Sequence, residues 1–389
     1  MMTSKPLMQS VFVYRMARTA IGLTSGLHKN QLPEDLMAMV LKALVSEDEA
    51  SSVDDCLLAN AVGPMGNMAR LSWLTAGFPI SGTATTVDFQ CGGSLKALQL
   101  AFGLVASGQA HSAIAGGMES TSLEPLRAYH PRDPRKTSQP GYLTRAQFSP
   151  HALGDADMLK GAENTAARFG FTRQELDDYA LLSHQRALIT ADSQILTPYI
   201  TGPTCGPLID ESLRPSISLR LLNRAKPLLG KDGLITAGNA CLMHDGAAGL
   251  LIGSRAFGIA HGLNPLAEFL GFSSVGVSPD FSPLGATEAL IKLTEKMQLP
   301  LEALNQIEIN EAFASKVLAF RATTGISLEK INPSGGALAF GHPYSASGAI
   351  YTLHTIASLR ANGGGLGAIA LGVAGGQGIA ALLTTNFSF

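Results

Sequence analysis

The sequence predicts an α/β protein built from more than one packed unit. Strand-length apolar runs, such as 110–115 and 366–373, alternate with stretches of helical periodicity. The chain has 389 residues, too many for one ordinary core. Its residues are 46% apolar and 15% charged, which is enough apolar material to fill a large interior. The 42 glycines are scattered, not tandemly repeated, and so read as tight turns and close packing instead of low complexity.

From the N-terminus, residues 1–10 carry Lys5 but no sustained apolar stretch of the kind a secretory leader needs. Val11 to Tyr14 is too short for a signal or a membrane span and reads as the first strand. Pro33 to Leu44 has helical spacing, Cys56 to Val62 is strand-like, and Met68 to Phe78 is helical again. Around Arg127 to Gln147 the pattern fails, with Pro131, Pro134 and Pro140 among basic and polar residues, which predicts an excursion out of the core. Helical periodicity returns from Asn164 through Ala187, and the excursion is expected to close near Gly249. Ala113-Ile114-Ala115-Gly116-Gly117 and Ala368-Ile369-Ala370-Leu371-Gly372 are both small, apolar and glycine-terminated, a hint of internal duplication.

Lysine and arginine number 28 against 30 acidic residues, a net charge of -2. That balance offers no global field for nucleic acid or an anionic membrane, so neither is expected as a partner, and any phosphate binding must be local. The four cysteines, Cys56, Cys91, Cys205 and Cys241, lack metal-type CxxC spacing; no metal is expected, and a reducing, cytoplasmic setting is.

Cys91 is the most informative residue. It ends the stretch Thr86-Val87-Asp88-Phe89-Gln90 and is followed by Gly92, Gly93 and a helical pattern carried by Leu95, Leu98 and Phe102. The glycines are expected to allow a tight strand-to-helix turn. The sulfur would then sit at a helix N-terminus, where unpaired N–H groups and the dipole favour thiolate, the nucleophilic form.

Three further segments join it: Asn310-Glu311-Ala312-Phe313-Ala314, Gly341-His342-Pro343 at the end of a glycine-rich run from Gly335, and Gly372-Val373-Ala374-Gly375-Gly376-Gln377-Gly378. With these, and with Arg18-Thr19, Gly116 to Ser120, Gly161 to Asn164, and Thr236 to Ala240 followed by Asp245 to Ala248, the chain resembles the thiolase family over nearly its whole length. The resemblance implies a duplicated, five-layered αβαβα core with an inserted loop domain. It places the N-terminal half at 1–120, continued at 250–271, the loop domain at 121–249 and the C-terminal half at 272–389. It also implies an acyltransferase that takes an acyl group from acyl-CoA onto Cys91, with a coenzyme A thioester as substrate, no permanently bound cofactor, and a homodimer or homotetramer.

By the same resemblance His342 is the base that activates the thiol, a role suited to imidazole. One oxyanion hole is formed by His342 with a water held by Asn310, a second by the backbone N–H groups of Cys91 and Ala374. Met158, Cys241, Leu284 and Phe313 are placed along the CoA and pantetheine channel. The departures matter equally. Thiolases carry a second, acid/base cysteine where this chain has Gly372, and losing such a group costs roughly 10²–10⁴ in rate. Ala374 stands where the family has glycine, with strain expected if the site needs positive φ. Asp157 replaces a frequent histidine, Cys241 a serine, and Tyr344-Ser345 the usual Leu-Gly. Three readings follow: a thiolase in which another group, Cys241 and His244 first among candidates, replaces the lost cysteine; a condensing or acyl-transfer enzyme with a malonyl-type or non-CoA acceptor; and a catalytically silent, thiolase-like subunit.

Overall fold

A computed structural model describes residues 9–136, 141–202 and 208–389, so Pro140 and Cys205 lie outside the described residues. Nine strands form the main path of one continuous sheet: β1 (Val11–Thr19), β2 (Asp55–Ala59), β3 (Thr85–Val87), β4 (Ser112–Glu119), β5 (His244–Ser254), β6 (Ala267–Gly276), β7 (Gln306–Ile309), β8 (Leu366–Val373) and β9 (Gln377–Thr384). Their spatial order is β3-β2-β4-β5-β1-β6-β9-β8-β7. In the first half β2 and β4 are parallel, then β4–β5 and β5–β1 antiparallel. The second half repeats this: β7 and β8 parallel, then β8–β9 and β9–β6 antiparallel. The two small-residue segments noted in the sequence therefore occupy equivalent strands, β4 and β8. A short antiparallel ladder, Val11 opposite Phe269 through Val13 opposite Ala267, joins the halves.

Alternation along the strands sorts side chains into different cores. Ala113, Ala115, Ile369 and Leu371 face a central core together with Leu95 and Leu98 of α3 (Gly93–Ala106) and Ile350 and Leu353 of α8 (Ser347–Ala361). Ile114 faces the other way, toward α1 (Pro33–Leu44) and α2 (Met68–Thr75). Ala368 and Ala370 face α6 (Gly285–Met297) and α7 (Ala314–Thr324). The result is five layers, with α3 and α8 in the middle. Gly348 lets these two approach backbone to backbone, since a Cβ there would press on the Leu95 main chain, and Ser94 Oγ accepts from Ala349 N at 2.8 Å.

Several sequence expectations are refined. The strand expected to run to Val62 stops at Ala59, and the helix expected to run to Phe78 stops at Thr75. The helical stretch from Asn164 to Ala187 is two helices, α4 (Met158–Phe169) and α5 (Arg173–Ser193). Gly170 adopts φ +69° between them, and Thr172 with Glu175 forms a capping box that restarts the helix. The excursion rejoins the sheet at His244, so Gly249 lies inside β5 and not at a boundary. The excursion is tied to the first strand by Arg18, fully buried, whose guanidinium forks onto Asp210 at 2.7 and 2.8 Å. Among the described residues no helix is long and apolar enough to cross a membrane.

Candidate active site

Cys91 lies in a single helical turn, Gln90–Gly92, that runs directly into α3. Neither following glycine needs positive φ. They are small because a Cβ on Gly92 would meet Val373 and Phe89 at 2.8 Å, and one on Gly93 would meet Ser345 Cβ at 2.9 Å. The unusual backbone falls one residue earlier, on Gln90 at φ +44°, steadied by Asp88, whose carboxylate accepts from both Gln90 N and Nε2. The Cys91 turn is thus pressed between the tip of β8 and the loop after His342.

The expected thiolate is not the resting form. Burial pushes the Cys91 thiol up to about 11, against the positive charge of Lys316, which pulls it down. Helix-terminal stabilisation is outweighed by desolvation, and the sulfur stays protonated until a base takes its proton.

His342 follows Gly341, whose φ of +114° and lack of a side chain are both required, because a Cβ would meet Ile21 and His244. The ring is buried, its Nδ1 lies 2.6 Å from Ser347 Oγ, and its Nε2 has no partner among the described residues. Burial, and after it the Lys316 charge and the neighbouring His244, pull its pKa down to about 3, so the imidazole is neutral. Tyr344 stands edge-on to this ring at 5.8 Å, and Ser345 donates to the buried Glu119 at 2.7 Å. Both departures from the usual Leu-Gly thus have contacts of their own.

Asn310 directly follows β7 and is buried. Its Oδ1 accepts from Gly372 N at 3.1 Å and from Lys316 Nζ at 2.6 Å, and its Nδ2 donates to Gly372 O at 3.3 Å. Its neighbour Glu311 is structural: it accepts from Tyr179, Ser183 and Asn332 at 2.5, 2.6 and 2.7 Å. Ala374 does not take a left-handed conformation; Gly375 and Gly376 carry the turn at φ +82° and +76°, so the anticipated strain does not arise.

Lys316 is the residue that the sequence reading missed. It sits in the first turn of α7 with no exposed surface, and burial draws its pKa down to about 8, with Cys91 and Cys241 pulling it back up. Its charge acts on Cys91, Cys241 and His342. The signal in the sequence was a lysine between Ser315 and Val317 in an otherwise small or apolar run directly after the Asn310 motif.

Of the expected channel residues, Cys241 is half-buried beside this cluster, its N–H donating to Ala312 O at 2.9 Å and its thiol pushed up to about 12 by burial. Phe313 is buried at the start of α7, its backbone bridged to Ala240, and Met158 opens α4 against the same outer core. Leu284 lines a cavity of about 310 Å³ with Arg168, Phe281 and Lys292, and Cys91 is not among its lining residues. Asp157, at the position of a frequent histidine, caps α4 by accepting from Lys160 N at 2.8 Å. His244, one of the alternative proton carriers, has its Nε2 held by Ser212 Oγ at 2.6 Å.

Family comparison covers most of the chain. Residues 11–256 match the model "Thiolase, N-terminal domain" and residues 263–385 "Thiolase, C-terminal domain". A Bacillus subtilis protein named "Putative acetyl-CoA C-acetyltransferase YhfS" is 39% identical over 85% of this chain and 87% of its own length. "Putative acetyl-CoA C-acetyltransferase VraB" of Staphylococcus epidermidis is 35% identical over 94% of this chain and 98% of its own. Among solved structures, the Bacillus anthracis acetyl-CoA acetyltransferase superposes with TM-score 0.90 at 31% identity, over 98% of this chain and all of that one. Human mitochondrial 3-ketoacyl-CoA thiolase in complex with CoA superposes with TM-score 0.91 at 29% identity, over 98% and 99%.

Proposed function

Because this chain belongs to the thiolase family, we propose that it is an acyl-CoA acyltransferase that works through an acyl-Cys91 intermediate. The observation that carries this reading is a protonated, buried thiol and a neutral, buried imidazole with an open Nε2, both under the charge of one buried amine. With Nδ1–H donated to Ser347 Oγ, Nε2 of His342 keeps a free lone pair with which to take the Cys91 proton when substrate binds. Thiol held high and imidazole held low make a resting ion pair unfavourable, so proton transfer accompanies attack on the thioester carbonyl and does not precede it. The oxyanion then takes donors from the Cys91 and Ala374 N–H groups, or from His342 with a water on the remaining Asn310 N–H.

Acyl-CoA is the substrate in this reading, with Cys241, Phe313 and Met158 beside its pantetheine arm and no permanently bound cofactor. The chain acts in the cytoplasm as a homodimer or homotetramer. Support for self-association comes from the short β3 strand at the sheet edge and the exposed Met65 and Ile80 near it.

Incubation with acetyl-CoA alone, followed by CoA, acetoacetyl-CoA or malonyl-CoA, tests the reading. A gain of one acetyl group on Cys91 in the intact mass, absent in Cys91→Ala and retained in Cys56→Ala, is the expected result. An undiminished adduct in Cys91→Ala removes its basis. A second reading, with a malonyl-type acceptor, is favoured by Gly372, since decarboxylation generates the carbanion without an acid/base cysteine. Product from malonyl-CoA but none from acetyl-CoA or acetoacetyl-CoA selects it.

A further inference from the structure

We propose that the amine of Lys316 takes the place of the absent acid/base thiol, carrying the proton at the substrate α-carbon and at the CoA sulfur. This rests on the acyl-Cys91 reading. The geometry is direct: a Cβ built on Gly372 would stand 3.2 Å from Lys316 Nζ, so the amine occupies the region into which a side chain at that position would point. The amine is positioned by Asn310 Oδ1 at 2.6 Å and Gly372 O at 3.4 Å, which leaves its third site free.

A purely structural role for this lysine is hard to reconcile with its surroundings. Among the described residues no carboxylate lies within ion-pair distance of it. Glu311, the acid of the neighbouring motif, is taken up by Tyr179, Ser183 and Asn332. A buried, unpaired ammonium is costly, and the first turn of a helix is where the dipole disfavours a cation. Both effects ease proton release, and burial brings the amine to about 8, in the range where lysine serves as a general base. The alternatives are less suited: Cys241 is pushed up to about 12 and His244 is held by Ser212.

The proton count closes in the cleavage direction. His342 takes the Cys91 proton as sulfur adds to the β-keto carbon of acetoacetyl-CoA. The bond between that carbon and the α-carbon then breaks, its electron pair staying on the α-carbon as the acetyl-CoA enolate. The Lys316 ammonium protonates this carbon and becomes neutral amine. The amine then takes the proton of the incoming CoA thiol, whose thiolate attacks acyl-Cys91. The carbon–sulfur bond to Cys91 breaks, and His342 returns its proton to that sulfur. Cys91, Cys241 and His342 are the titratable groups on which the charge of the amine acts.

The test separates acylation from proton transfer. Acetyl loading of Cys91 from the thioacetate of 4-nitrothiophenol, whose thiolate leaves without a proton, is compared with acetoacetyl-CoA thiolysis and with deuterium uptake into the methyl group of acetyl-CoA. In Lys316→Met we expect thiolysis and deuterium uptake to fall about 10²–10⁴-fold, with loading within several-fold of the parent. In Lys316→Ala we expect methylamine to restore part of the thiolysis in proportion to its free-base concentration. Thiolysis within a few-fold of the parent in Lys316→Met overturns the proposal, as does loss of loading to the same degree as thiolysis. Should both variants fail to fold, a parent protein that acetylates Cys91 yet takes up no deuterium overturns it equally. A parent that never acetylates Cys91 overturns the acyltransferase reading itself, a distinct outcome.

Discussion

Cys91 and His342 show opposite responses to one cause. Burial strips solvent from both, raising the thiol and lowering the imidazole, so each rests in its neutral form. The Lys316 charge pulls both groups down, which helps the thiolate and weakens the base that must form it. Activation therefore depends on the acceptor ring being open, and the unpartnered Nε2 of His342 meets that need. His342→Ala should slow acylation of Cys91 strongly. Asn310→Ala should act chiefly on turnover, by roughly 10²–10³, the usual loss for one oxyanion donor. Rapid-quench mass measurement of the acyl-enzyme, set beside steady-state turnover, distinguishes the two. An Asn310→Ala protein that turns over like the parent removes Asn310 from its role.

Strand β8 ends at the site, and its close packing decides what residue 372 is allowed to be. If the chain is a thiolase limited by its missing cysteine, Gly372→Cys is expected from the sequence to raise acetoacetyl-CoA thiolysis, provided the backbone tolerates a Cβ there. The structure argues against that proviso: a Cβ at 372 would lie 2.9 Å from the carbonyl oxygens of both Ser282 and Pro283, main-chain atoms that cannot swing aside. Gly372→Cys should therefore destabilise the protein and leave acetoacetyl-CoA thiolysis unimproved, as measured by thermal melting and by the thiolysis rate. A stable variant with an order-of-magnitude gain would show that the 282–283 segment yields and that the lost thiol was limiting. The glycines after Cys91 obey the same rule, excluding bulk where β8 and Ser345 crowd the nucleophile's turn.

Among the described residues four imidazoles are buried and held low, each chiefly by burial: His184, His244 and His342, lowered to about 4, 4 and 3, and His354, lowered well below its ordinary value. Unfolded, each returns to its ordinary value of about 6.5. At these rings the unfolded chain binds more protons than the native one between about pH 6.5 and the lower values, so their contribution to stability is intact above 6.5 and lost as pH falls; Glu119 and Glu308, raised to about 7 and about 8 by burial, act in the opposite sense and offset part of it. The melting temperature should decline progressively from pH 7 to pH 4. His184→Gln, at a position outside the Cys91 cluster, should flatten part of that slope. A melting temperature independent of pH over this interval would contradict neutral burial of these rings.

The sequence by itself determined the α/β class and the order of the motifs, hinted at the duplication that the strand pairing then displays, and through its family resemblance marked Cys91, His342 and Asn310 as the residues to examine. Periodicity and glycine placement record local backbone demands, and those survive in one dimension; α1 and β8 match their sequence limits of 33–44 and 366–373. Helix breaks at single glycines such as Gly170 were less legible, because one αL residue does not disturb an apolar pattern that resumes after it. The tertiary structure alone decided the ionisation states, since desolvation depends on everything packed around a group and outweighs the helix-end effect expected at Cys91. It also gave Lys316 its significance. A lysine on a helix is ordinarily solvated, and only the approach of β8 to α7 encloses this one against Asn310 and Gly372.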